Sequence, residues 1–109
     1  MFIIYDMINI LEQANSISKQ FSILSNIYRI LIILYLKENK QSNWSEIKDY
    51  IESNCGKLNP NTLHFHLKAL LESKFIKRIP IGDKFLYELD FLPTDILQAI
   101  ERLSINKNK

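Results

Sequence analysis

Apolar positions along the chain follow a helical spacing as far as residue 74 and then change to a strand spacing. At the N-terminus Ile3, Ile4, Met7, Ile8, Leu11 and Ala14 recur three and four apart, the stripe of an amphipathic helix. Asn15, Ser16 and Ser18 weaken that stripe and predict a break or bend there. A second helix is expected from about Phe21 to Leu36, with Ile23, Ile27, Ile30, Leu31 and Leu34 as its buried face. Ile32, Ile33 and Tyr35 make it apolar almost all round, which places it at the centre of a core. The run "KENKQSN" closes it with charged and turn-prone residues.

The third helix is expected from Ser45 or one residue earlier, behind the polar caps of "NWSEI", with Ile47, Tyr50 and Ile51 inward and Trp44 anchoring the connection before it. It ends at Gly56, where positive φ carries no side-chain penalty. Asn59 as cap and Pro60 at the first helical position open a fourth helix with Leu63, Leu67, Leu70 and Leu71 as its core stripe. From Phe75 the period falls to two. "FIKRIPIGDKFLYEL" reads as two strands joined by a tight turn at Gly82-Asp83, a register that sets Lys77 opposite Glu88 and puts Ile76, Tyr87 and Leu89 on the inner face. A last helix starts at Pro93 or Thr94, with Ile96, Leu97, Ile100 and Leu103 on one side, and the tail "NKNK" is expected to fray. The order is four helices, a hairpin and a helix, without internal repeat or low-complexity linker.

A chain of 109 residues, 47% apolar, has room for one folded domain and one extra helix. Its single cysteine, Cys55, cannot form an internal disulfide and fits a reducing compartment. "MFIIYDMINIL" lacks the basic start of a signal peptide, and no stretch reaches the roughly 20 apolar residues that cross a bilayer. A cytoplasmic location without a membrane partner is expected. The net charge of +2 is unevenly spread. Residues 1–56 hold five Lys and Arg against six Asp and Glu, residues 57–84 six against two, and residues 85–109 three against four. The positive charge therefore gathers on the fourth helix and hairpin, as a local anion-binding surface requires.

With the core stripe of the fourth helix inward, Asn61, His64, Phe65 and Lys68 fall at i, i+3, i+4 and i+7 on its outer face, with Thr62 beside them. Asn and Thr hydrogen-bond base edges, His reaches bases or phosphates, and Lys neutralises phosphate. The helix fits the DNA major groove, and the hairpin supplies Lys77, Arg78 and Lys84 for the backbone. His66 lies at the edge of the core stripe and is read as a packed, hydrogen-bonded histidine.

"LNPNTLHFHLKALLESKFIKR" followed by "GDKFLYEL" resembles the recognition helix and wing of winged helix-turn-helix transcription regulators of the ArsR/MarR-like kind. The resemblance spans about Phe21 to Leu89 and rests on Asn59, Thr62, Leu63, the variable pair His64 and Phe65, His66-Leu67 and Leu70. It implies a mainly α fold with a small β-hairpin wing, a winged helix-turn-helix with additional N- and C-terminal helices. It also implies major-groove contact by Asn61, Thr62, His64, Phe65 and Lys68, and phosphate contact by the wing from Lys77 to Lys84. Where Phe65 stands, a basic or polar residue is usual in that family, which leaves two readings of it: contact with thymine methyls, or burial against another helix. The paired-cysteine motif of the metal-sensing members is missing. His64 and His66, about 200° apart on a helix, cannot chelate together, so no metal and no cofactor is expected.

Once the helical core and hairpin are complete, the stripes of the first and last helices still need burial, on the chain's own core or across a two-fold axis. The resemblance implies the second: a homodimer through Ile3, Ile4, Met7, Ile8, Leu11, Ile96, Ile100 and Leu103, presenting two recognition helices about 34 Å apart. The corresponding division is residues 1–20 and 92–109 for dimerisation and 21–91 for DNA binding. There is no Gly-rich phosphate loop, G-x-S-x-G or H-E-x-x-H, so an enzyme is not expected. The reading is a regulator that binds double-stranded DNA and represses by blocking a promoter. The alternatives are a winged-helix protein–protein interaction module, or a plasmid or viral partition or replication adaptor.

Overall fold

Three asparagines set where the helices that carry the core begin. In the computed structural model the backbone is described for residues 2–107, and the side chains for residues 9–99, 101 and 102. The elements are α1 (Phe2–Leu24), α2 (Ile27–Asn39), α3 (Trp44–Cys55), α4 (Pro60–Glu72), β1 (Ile76–Ile81), β2 (Lys84–Leu89) and α5 (Thr94–Lys107).

The expected break near Asn15 to Ser18 is absent: α1 runs through it, and the chain turns instead at Ser25-Asn26. Ser and Asn inside a helix cost a few tenths of a kcal/mol each relative to Ala, about 0.7 at most, which is too little to break it. Asn26 does break it, because an extended residue (φ −144°) whose side-chain oxygen accepts from the N–H groups of Tyr28 (2.9 Å) and Arg29 (3.3 Å) starts a new helix. Residues 9–24 of α1 and the whole of α2 meet at 85°. The buried face of α2 also differs from expectation. Leu31, Ile32, Ile33 and Leu36 are buried, Ile30 and Leu34 are half-buried, and Ile27, in the first turn, is 63% exposed.

α3 starts at a capping box in which Asn43 Oδ1 accepts from the Glu46 N–H (2.8 Å) and Glu46 Oε1 from the Asn43 N–H (3.0 Å). It ends at Gly56, whose φ of 87° a side chain would resist. The turn into α4 is held by Glu52, whose carboxylate accepts from the Leu58 N–H (2.8 Å) and from Lys48 Nζ (3.1 Å). Those two bonds, the backbone one foremost, keep its carboxyl below the usual glutamate range. Asn59 then caps α4, its side chain accepting from the Asn61 N–H at 2.8 Å, and Pro60 occupies the first helical position.

α4 stops in a Schellman motif: the Phe75 N–H donates to Leu70 O and the Lys74 N–H to Leu71 O, both over 3.1 Å. Lys74 takes the left-handed conformation (φ 66°) that this stop demands. The chain leaves as an antiparallel hairpin pairing Ile76 with Leu89, Lys77 with Glu88, Arg78 with Tyr87 and Ile81 with Lys84. Gly82, φ 63°, opens the two-residue loop, as a type II′ turn requires. A third strand-like contact was not legible in "KENKQSN": the Ser42 and Tyr87 backbones exchange hydrogen bonds of 3.0 and 2.8 Å.

The core gathers Ile32, Ile33 and Leu36 of α2, Ile47 and Ile51 of α3, and Leu63, Leu67 and Leu70 of α4, with Phe75, Ile76 and Tyr87 of the hairpin closing it. This packing turns the opposite face of α4 outward.

Candidate nucleic-acid interface

On the outer face of α4, Asn61, His64, Phe65 and Lys68 are all exposed, and Thr62 is half-buried beside them. Phe65 is 63% exposed, so it is not buried against another helix of this chain. Its ring meets the His66 ring edge-on at 5.5 Å, and the Arg29 guanidinium lies 5.6 Å from its centroid. His66 is the packed histidine that the stripe predicts, 6% exposed and hydrogen-bonded to Arg29. Lys68 stands 3.9 Å from Glu72, but both side chains are largely exposed, so the pair is weak and leaves the ammonium accessible to a partner.

His64 is held by a residue of the preceding helix. The Trp44 indole, in the first turn of α3, stacks on the imidazole at 5.2 Å with 22° between the rings. Trp44, His64, Asn43 and Ser45 line a hollow of about 330 Å³ together with Lys84, Phe85 and Tyr87 of the hairpin. On the other side of His64 and Tyr87 lies a second hollow of about 370 Å³, lined by Leu67, Lys68, Leu71 and Arg78 as well. The two hollows adjoin at those two shared residues and are together called the cleft between α4 and the hairpin. His64, Lys68, Arg78 and Lys84 border it, a concentration of donors and positive charge suited to a phosphodiester backbone.

The alternation of the strand separates the two neighbouring cations of β1. Arg78 faces the α4 side, whereas Lys77 faces away and binds Glu88 at 3.0 Å, which in turn accepts from Gln41 Nε2 at 2.9 Å. The hydrogen bond and the charge of Glu88 raise the Lys77 pKa above its ordinary value. Lys77 is thus not brought to the cleft with the others.

Of the residues assigned to dimerisation, Ile3, Ile4, Met7, Ile8, Ile100 and Leu103 lie outside the described side chains. Leu11 is 61% exposed, and Ile96 is half-buried against the core. A second apolar stripe on α1 runs beyond Ala14. Ile10, Ala14, Ile17 and Phe21 follow at intervals of four, three and four, all exposed, with Ile10 at 62%, Ile17 at 52% and Phe21 at 59%. That is the a/d spacing of a coiled-coil seam.

No known family model matches the sequence, and no curated protein sequence does either. A solved structure of similar shape is the transcriptional repressor BigR from Xylella fastidiosa, with a TM-score of 0.71 over 93% of this chain and 95% of that one. The fold is a winged helix-turn-helix. At 20% identity the similarity carries the architecture, and the chemistry has to be argued from this chain's own residues. In the winged-helix frame α3 and α4 form the helix-turn-helix, and β1 and β2 are the wing. The cleft described above is the gap between second helix and wing. Among the described residues no group of three or more His, Cys, Asp or Glu is placed to hold a metal ion, and no single helix is long and apolar enough to cross a membrane.

Proposed function

We propose that this chain is a sequence-specific transcription regulator that binds double-stranded DNA as a cytoplasmic homodimer and represses by occupying promoter DNA. The observation that carries the reading is the outer face of α4, where Asn61, His64, Phe65 and Lys68 stand exposed with Arg78 and Lys84 on the wing beside them. A helix about 10–12 Å across fits a major groove about 12 Å wide. Asn61, Thr62 and His64 then meet base edges, Phe65 meets a thymine methyl, and Lys68, Arg78 and Lys84 meet phosphates. Lys77, engaged by Glu88, stabilises the wing instead. The exposed seam of α1 supports pairing with the α1 of a second copy. The likeness in shape to a repressor favours repression over activation.

Selection of bound sequences from a random duplex pool tests the proposal. An inverted repeat with half-sites about 10 base pairs apart is the expected product; no enrichment at low salt would remove it.

A second reading, a module that docks another protein through α4, is favoured by the exposed Phe65 and Ile27. The concentration of cations at the cleft favours DNA over it. A partition or replication adaptor would share the DNA contact but act away from promoters.

A further inference from the structure

Arg78 and Phe85 are diagonal neighbours on one face of the wing. The ladder pairs Arg78 with Tyr87 and Pro80 with Phe85, so these four side chains share the side turned toward α4. The guanidinium carbon of Arg78 lies 4.2 Å from the centroid of the Phe85 ring, well inside the roughly 6 Å over which a cation is attracted to an aromatic face. Phe85 is 43% exposed, whereas Tyr87 on the same face is 7% exposed and fills the core. The Phe85 ring is therefore not required as core packing. The ion pairs of this region involve the other cations, Lys77 with Glu88 and Lys68 with Glu72; among the described residues none involves Arg78. Arg78 instead lines the cleft beside His64 and Lys68.

An arginine loses rotamer freedom when it grips an anion, which weakens the grip unless the freedom is already restricted. Stacking on a ring occupies the flat face of the guanidinium and leaves the N–H groups at its edge free for a bidentate bond to phosphate. We propose that Phe85 is a positioning residue for Arg78: its ring holds the guanidinium in the cleft between α4 and the wing, with the N–H edge presented to a DNA phosphate. The inference rests on the DNA reading above and assigns the wing's phosphate grip to Arg78 rather than to its neighbour Lys77.

The test uses the full chain and its Phe85→Leu, Phe85→Tyr, Arg78→Ala and Arg78→Lys variants, each bound to one duplex over a range of salt. Phe85→Leu should weaken binding about two- to five-fold per protomer with an unchanged salt slope, because the same cations still meet the DNA. Phe85→Tyr, which keeps the ring, should bind like the native chain. Arg78→Ala should weaken binding further and reduce the salt slope by about one per protomer, while Arg78→Lys should keep the slope and lose affinity. In the free protein, the Arg78 side-chain proton signals should be shifted by the ring current in the native chain and in Phe85→Tyr, and not in Phe85→Leu. Equal binding by the Leu and Tyr variants, with DNA still bound by the native chain, would overturn the positioning role alone. No duplex binding by the native chain at low salt would overturn the DNA reading and the phosphate grip with it.

Discussion

Arg29 and His66 join α2 to α4: Arg29 Nε on α2 donates to His66 Nδ1 on α4 over 3.0 Å. The same guanidinium donates through Nη1 to the Ile23 carbonyl of α1 at 2.9 Å, and the Tyr28 ring stacks on His66 at 5.5 Å. The bond requires a lone pair on Nδ1, so the imidazole is neutral in the fold.

A pH dependence of stability follows. Burial first, and the Arg29 charge second, lower the His66 pKa below its ordinary 6.5. Above that value the imidazole is neutral in both states and its titration adds nothing. As pH falls through it, the unfolded chain takes up a proton that the folded chain refuses, and stability is lost until the lower folded pKa is reached. The slope from this group is at most about 1.4 kcal/mol per pH unit. Thermal melts of the native chain and His66→Gln at pH 7.5, 6.5 and 5.5 check it: the native advantage should shrink toward acid. A gap that stays constant contradicts the assignment.

A second prediction concerns the end of α4. Lys74 holds φ 66° to complete the Schellman motif, a conformation that costs a residue with a side chain about 1–2 kcal/mol. Lys74→Gly should raise stability by about 0.5–1 kcal/mol after the extra unfolded-state freedom of glycine is subtracted. Urea denaturation measures it, and a lower midpoint would contradict the argument.

What the sequence made legible was local. The caps Asn43 and Asn59, the stop at Gly56, the turn at Gly82 and the register of Lys77 against Glu88 all depend on residues close in sequence or linked by one turn. The outer face of α4 followed from the Leu63, Leu67 and Leu70 stripe, all of which are buried. Contacts between distant segments were hidden. Trp44 on His64, Arg29 on His66 and Ser42 on Tyr87 exist only because α2, α3, α4 and the hairpin pack as they do. Asn15 and Asn26 are the same residue type with opposite outcomes: one lies within α1, the other finds two N–H groups to cap.

The seam on α1 makes the assembly testable. Ile10, Ala14, Ile17 and Phe21 form one exposed stripe on that helix. Ile17→Asp should leave the fold intact, because Ile17 is 52% exposed, and should shift the chain from dimer to monomer in light scattering at micromolar concentration. A native chain that is already monomeric under those conditions would remove the dimer.

The last prediction separates reading from holding. Asn61 and His64 stand on the exposed face of α4, His64 braced by Trp44, whereas Lys84 stands on the wing next to the Gly82-Asp83 turn. Base-edge contacts carry sequence information, and a phosphate contact is the same at every step. Asn61→Ala or His64→Ala should therefore cost about 1–3 kcal/mol on the selected site and much less on scrambled duplex. Lys84→Ala should weaken both by a similar factor and reduce the salt slope, about −4 to −8 for a dimer making a few phosphate contacts per protomer, by about one per protomer. Leu67→Ala is the control: at 2% exposure it should cost roughly 2–5 kcal/mol of stability through a core cavity without changing the preferred sequence. Each variant is measured on both duplexes, with folding checked by thermal melt. Folded Asn61 and His64 variants that keep full affinity for the selected site would show that these two residues do not read the bases and would remove the assignment of α4 as the reading head.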